Sequence, residues 1–120
     1  MSENIFWVLE LAVRDSDNDD MTRLMDDMVE ATQAAESGAL NFEWHLSDDR
    51  KTCRIYERYA DAAAVMAHLE TFGDKFADRF MSVFEPRRFN VFGKADGAVR
   101  AALTGMGAEF NESVGGFVRT

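Results

Sequence analysis

The sequence predicts an α+β domain in the order strand, helix, strand, strand, helix, strand. Residues 5–13, 39–47, 52–60 and 87–93 alternate apolar and polar side chains at period two. The stretches between them, about 19–35 and 61–83, instead repeat apolar residues at three- and four-residue steps. The polar turn "DDRK" joining the second and third alternating runs is short enough to favour an antiparallel hairpin. With 120 residues, 47% of them hydrophobic, and ten Phe and two Trp, the chain is large enough for one core but not comfortably for two.

In the first strand Ile5, Trp7, Leu9, Leu11 and Val13 point one way, while Phe6, Val8, Glu10 and Ala12 point the other. The cluster "DSDNDD" follows and supplies side-chain acceptors and negative charge to a helix start. That helix carries the stripe Met21, Leu24, Met25, Met28, Val29, Thr32 and Ala35, opposed by Asp26, Asp27, Glu30 and Gln33, and stops at Ser37-Gly38. "ALNFEWHLS" puts Leu40, Phe42, Trp44 and Leu46 on one face and Asn41, Glu43 and His45 on the other. The third strand, 52–60, leads into a helix whose N-cap candidate is Asp61 and whose stripe is Val65, Leu69 and Phe72. Gly73 is expected to break or bend this helix, and Phe76, Phe80 and Val83 continue the pattern in a second piece that ends before Pro86. "RRFNVFG" is the fourth strand.

This order is that of the ferredoxin-like βαββαβ fold: a four-stranded antiparallel sheet carrying both helices on one face. Phe6, Val8, Tyr56 and Phe92 then remain for the other face, and such an apolar patch predicts a homodimer. Residues 1–94 form this domain. Residues 95–120 are expected to give a short helix beginning near Asp96 and a Gly-rich tail, packing on the domain or on a partner subunit.

Twenty-two acidic residues against thirteen basic ones give a formal charge of -9, which repels nucleic acid and anionic lipid surfaces. No segment approaches the roughly 20 apolar residues of a membrane span. Glu3 stands where a signal peptide would be basic, and the single cysteine, Cys53, permits no internal disulfide, so a cytoplasmic location is expected. No Gly-rich phosphate loop, nucleophile elbow or Cys-x-x-Cys pair is present. Glu43 and His45 share a face but make only half of a metal site, and they are expected to meet Arg54 and Arg58, so no metal is assigned.

Two polar residues stand out. Strand parity places Glu57 with Cys53, Ile55 and Tyr59 on the helix-covered side. Buried without a cation it would act as a base near neutral pH; beside Arg79 it would be an ordinary ion pair. His68 flanks the stripe of the second helix, either as a base aimed at the sheet or as a boundary residue bonded to a backbone carbonyl. Trp7, Trp44, Tyr59, Phe72, Phe76 and Phe80 either fill the core or leave a flat apolar cavity between sheet and helices.

Residues 36–76, "ESGALNFEWHLSDDRKTCRIYERYADAAAVMAHLETFGDKF", resemble the antibiotic biosynthesis monooxygenase family through Gly38, Tyr56-Glu57 and His68-Leu69. The resemblance implies a dimeric α/β barrel and the oxidation of quinols, anthrones and related phenols by O2 without metal, flavin or haem. On that basis the expected function is cofactor-free monooxygenation of a small aromatic compound. His68, aided by Glu57, is the expected catalytic base, and Trp7, Trp44, Tyr59, Phe72 and Phe76 are expected around the substrate. The rival expectations are a non-enzymatic dimeric barrel binding a small apolar ligand and a cofactor-free isomerase. Haem-degrading relatives use an Asn, a Trp and an axial His; here Tyr56 replaces the Trp and Asn4 lies near the terminus, which disfavours that chemistry.

Overall fold

The computed structural model describes residues 3–119. Its elements are β1 (Ile5–Val13), α1 (Asp20–Ala35), β2 (Ala39–Leu46), β3 (Thr52–Tyr59), α2 (Ala62–Lys75), α3 (Ala77–Val83), β4 (Phe84–Gly93), α4 (Gly97–Gly105) and β5 (Glu109–Asn111). The strands form one sheet in the order β2-β3-β1-β4-β5. Four of them pair antiparallel, but β5 runs parallel to β4, with Val91 opposite Phe110.

This corrects the expected fold class. The α+β composition stands, but the sheet is five-stranded and mixed, it carries four helices, and it does not close into a barrel. The cause lies in the chain after β4. Helix α4 buries Val99 and Leu103 in the same core cluster as Trp7 and Val91, and so carries the chain back along the sheet before β5 begins. A strand that follows such a crossover pairs parallel with its predecessor. Three residues are too few for an alternation to be read in sequence.

Two apolar clusters divide the core. Ile5, Trp7, Tyr59, Val65 and Val91 belong to one; Leu11, Leu24, Met28, Cys53, Ile55, Phe80 and Phe84 belong to the other. Leu9 packs against both. Helix α2 runs unbroken through Gly73 and ends instead at Phe76, where α3 begins. Strand β4 starts earlier than expected, at Phe84, and takes in Pro86 beside a register shift in its pairing with β1, where a residue without an N–H costs the ladder least. On the opposite face of the sheet, Phe6 stacks on Phe92 at 5.3 Å and meets Tyr56 edge-on at 6.3 Å. Among the described residues no helix is long and apolar enough to cross a membrane.

Candidate active site

The register of the three neighbouring strands builds the floor of the site. Glu57 on β3 lies directly between Trp7 of β1 and Phe42 of β2. Two residues further on, Tyr59 turns to the same face, and its hydroxyl donates to Glu57 Oε1 at 2.6 Å. The Tyr59 ring is fully buried, 5.0 Å from Trp7 and 5.1 Å from His68.

Helix α2 supplies the roof. Asp61 caps it by accepting from the Ala64 N–H at 2.9 Å, which fixes the rotation of the first turn. His68 then projects inward from the second turn and is only 5% exposed. Its Nε2 lies 3.2 Å from Glu57 Oε1, and its Nδ1 lies 2.9 Å from Glu36 Oε1.

Glu36 was not anticipated from the sequence. It follows α1 as its C-cap, and its backbone N–H still donates to Thr32. The signal was present: Leu24, Met28 and Thr32 form a buried row at four-residue steps, and Glu36 is the next member. Gly38 then makes the approach to α2 possible. A Cβ there would stand 2.5 Å from the Cβ of Ala64, one turn before His68, so only glycine lets this turn lie against the helix.

The result is a continuous buried chain: Tyr59 hydroxyl, Glu57, His68, Glu36. Burial alone would drive His68 toward its neutral form, but hydrogen bonds to Glu36 and Glu57, and the negative charge of both, outweigh it and push the imidazole up to about 9. His68 is therefore an imidazolium at neutral pH. Burial, reinforced by the charge of Glu57 and the bond to it, holds the Tyr59 phenol far above its ordinary range, so it remains a donor.

Beside this chain lies a cavity of about 300 Å³. Trp7, Leu9, Phe42 and Ile55 wall it from the sheet, and Leu69 and Phe72 from α2; among the described residues, Glu57 and His68 are its only ionisable lining residues. Met81 and Met106, 47% and 48% exposed, line it where it meets solvent. Of the residues expected around a substrate, Trp7 and Phe72 line the cavity. Tyr59 lies behind Glu57 instead, and Trp44 and Phe76 pack in the second core cluster. Phe80, set aside from sequence as core or cavity, is both.

The other polar candidates lie elsewhere. Arg79 pairs with Asp27 at 2.6 Å and does not reach Glu57. Glu43 accepts from Asn41 and lies 3.4 Å from His45 on the exposed surface, while Arg54 pairs with Glu10 and Arg58 bonds Asn41 and Asn4. Among the described residues, no group of three or more His, Cys, Asp and Glu side chains is arranged to hold a metal ion.

Comparison with solved structures shows the same fold in several proteins. MupZ from Pseudomonas fluorescens superposes with a TM-score of 0.86 at 19% identity, over 99% of this chain and 91% of that one. SnoaB from Streptomyces nogalater, a cofactor-independent oxygenase, gives 0.65 at 12% identity over 81% and 98%. Rv0793 from Mycobacterium tuberculosis gives 0.60 at 20% identity over 79% and 98%. A search of curated protein sequences returns no match. The model of the family described as "Antibiotic biosynthesis monooxygenase" matches residues 5–83, a span that holds Glu36, Glu57, Tyr59 and His68, and the chain belongs to that family.

Proposed function

We propose that the protein is a cytoplasmic, cofactor-independent monooxygenase that oxidises a small aromatic quinol- or anthrone-like compound with O2. The observation that carries this reading is the apolar cavity whose only ionisable lining residues, among those described, are the linked pair Glu57 and His68. Its size suits two or three fused rings, since a cavity of about 150 Å³ already binds benzene. An aromatic hydroxyl or acidic CH placed at the Glu57 end would meet a carboxyl already braced through Oε1 by Tyr59 and His68, which leaves the second oxygen to take the proton. His68, the base expected from sequence, already carries its proton and acts in this step as the charged partner of Glu57, which takes the substrate proton in its place.

The electron-rich anion then reacts with O2 in a dry pocket. A C–O bond forms to one oxygen atom, and the O–O bond breaks as the second atom leaves in water. A quinol thus becomes a hydroxyquinone, or an anthrone CH2 becomes a carbonyl, with one O2 consumed and one water released. The four electrons that reduce O2 come entirely from the substrate.

The half-buried aromatic cluster of Phe6, Tyr56 and Phe92, and the exposed Val114, Phe117 and Val118, support assembly with a second copy. Sedimentation at the mass of a single chain at micromolar concentration would remove that part of the proposal. For the reaction, oxygen uptake is measured with a panel of hydroquinones and anthrones. The expected result is one O2 per substrate and a loss of about 10²- to 10⁴-fold in kcat for Glu57→Gln. Equal turnover by parent and variant refutes the base. Substrate conversion without O2 assigns an isomerase instead, and ligand binding without turnover a carrier.

A further inference from the structure

The reaction above employs Glu57 and His68 and leaves a second buried carboxyl unexplained. Only 6% of the Glu36 side chain is exposed, and its Oε2 is buried with no hydrogen-bond partner among the described residues. An acid at a helix C-terminus also faces the negative end of the dipole. An ionised carboxylate in such a place is costly unless a cation is held against it. Among the described residues, the only cation-forming side chain that Glu36 contacts is His68.

We propose that Glu36 is a positioning residue for the base: it accepts the hydrogen bond from His68 Nδ1–H, turns Nε2 toward Glu57 and the cavity, and supplies the second negative charge that holds the proton on the ring. The inference rests on the reading of Glu57 and His68 as the base. With Glu57 as its only carboxyl partner, an imidazolium would form a neutral pair and draw charge away from the acceptor oxygen. With Glu36 added, the three groups carry one net negative charge. Uptake of the substrate proton brings them to neutrality while the substrate becomes an anion, so the charge is moved into the cavity and none is created. The groups facing His68 are Glu36 beyond α1, Glu57 and Tyr59 on β3, and the uncharged ring of Phe42 on β2 at 5.6 Å. The raised His68 proton affinity agrees with this arrangement.

The chain contains only two histidines, so ¹⁵N-imidazole NMR reads His68 directly, with His45 assigned by its loss in His45→Asn. The full chain is titrated as the parent and as Glu36→Gln. The expected result is a His68 midpoint near 9 in the parent and a fall of about one pH unit or more in the variant. An unchanged midpoint overturns the proposal. In case Glu36→Gln does not fold, the parent alone supplies a second test. Above its midpoint the neutral His68 ring must carry its proton on Nδ1, and the Nε2-protonated tautomer overturns the assignment. Neither measurement depends on turnover, so a failure to consume O2 would sink the monooxygenase reading while leaving this geometry to be judged separately.

Discussion

The proton on His68 links folding to pH in a direction opposite to that of most acidic proteins. The unfolded imidazole titrates at about 6.5 and the folded one at about 9. Because the folded value is the higher, the stabilisation is fully present below pH 6.5 and is lost as pH rises through 9. At about 1.4 kcal/mol per pH unit, the loss amounts to roughly 3 kcal/mol, a large share of the 5–15 kcal/mol typical of a small domain. With a urea slope of about 1–3 kcal/mol per molar, the unfolding midpoint should drop by about 1–3 M between pH 6 and pH 10. The assay is urea denaturation followed by tryptophan fluorescence at one-unit pH steps, with His68→Gln as the control. That variant removes the proton-binding ring and leaves Glu36 and Glu57 facing each other, so its stability should not decline between about pH 6 and pH 8, below the range where the buried Cys53 thiol and Tyr59 phenol begin to favour the unfolded chain. A parent whose midpoint is flat or rises from pH 6.5 to 9 refutes the claim that His68 is charged between two carboxyls.

The local geometry makes further commitments. Gly38→Ala drives a Cβ against Ala64, and overpacking of this kind costs about 1–3 kcal/mol; equilibrium denaturation should show that loss, and a neutral effect would mean that the turn does not lie against α2. Tyr59→Phe removes the donor to Glu57 Oε1, with an expected cost of about 1–3 kcal/mol in thermal or urea unfolding and a drop in turnover; an unchanged variant would show that the bond does not form. Cys53 is buried, and burial pushes its thiol up to about 11, so a disulfide reagent at pH 8 should label it only after denaturant is added; rapid labelling of the native protein contradicts that burial.

Much of the sheet was legible because its strands alternate cleanly. Parity alone put Glu57 on the covered face with Ile55 and Tyr59, and the helical stripe put His68 close to it. Both inferences depend only on the periods 2.0 and 3.6, which the sequence carries without tertiary knowledge. Tyr59 was legible as an aromatic on that face but not as a donor, since parity fixes the shared face and not the side-chain torsions that bring the hydroxyl to Glu57 Oε1. Glu36 was hidden for a different reason. Its place in the row Leu24, Met28, Thr32 is visible, but a glutamate beside Ser37-Gly38 looks like a solvated helix end. Only the close approach of Gly38 to Ala64 shows that the turn is covered by another helix. The fifth strand was illegible because its pairing follows from where α4 delivers the chain and owes little to the three side chains it contains.

Part of the cavity mouth lies outside the span that the family model matches, and this bears on what the fold holds constant and what it leaves free. Glu36, Glu57, Tyr59 and His68 all fall within the span matched by the family model, 5–83. Gly105 and Met106, at the end of α4, lie beyond it and contribute to the wall with Met81 near the mouth. Proton removal needs donors and acceptors held to within about half an ångström, and strands β1 to β3, joined along their full length, provide that rigidity. The mouth makes a weaker demand. Met81 and Met106 would fit ligands of different outline at little cost, because a thioether side chain adapts its torsions to the space left. Under the proposed reaction, the end of α4 would bear on which ring systems enter, while the β1–β3 floor and α2 roof hold Glu57 and His68 in place.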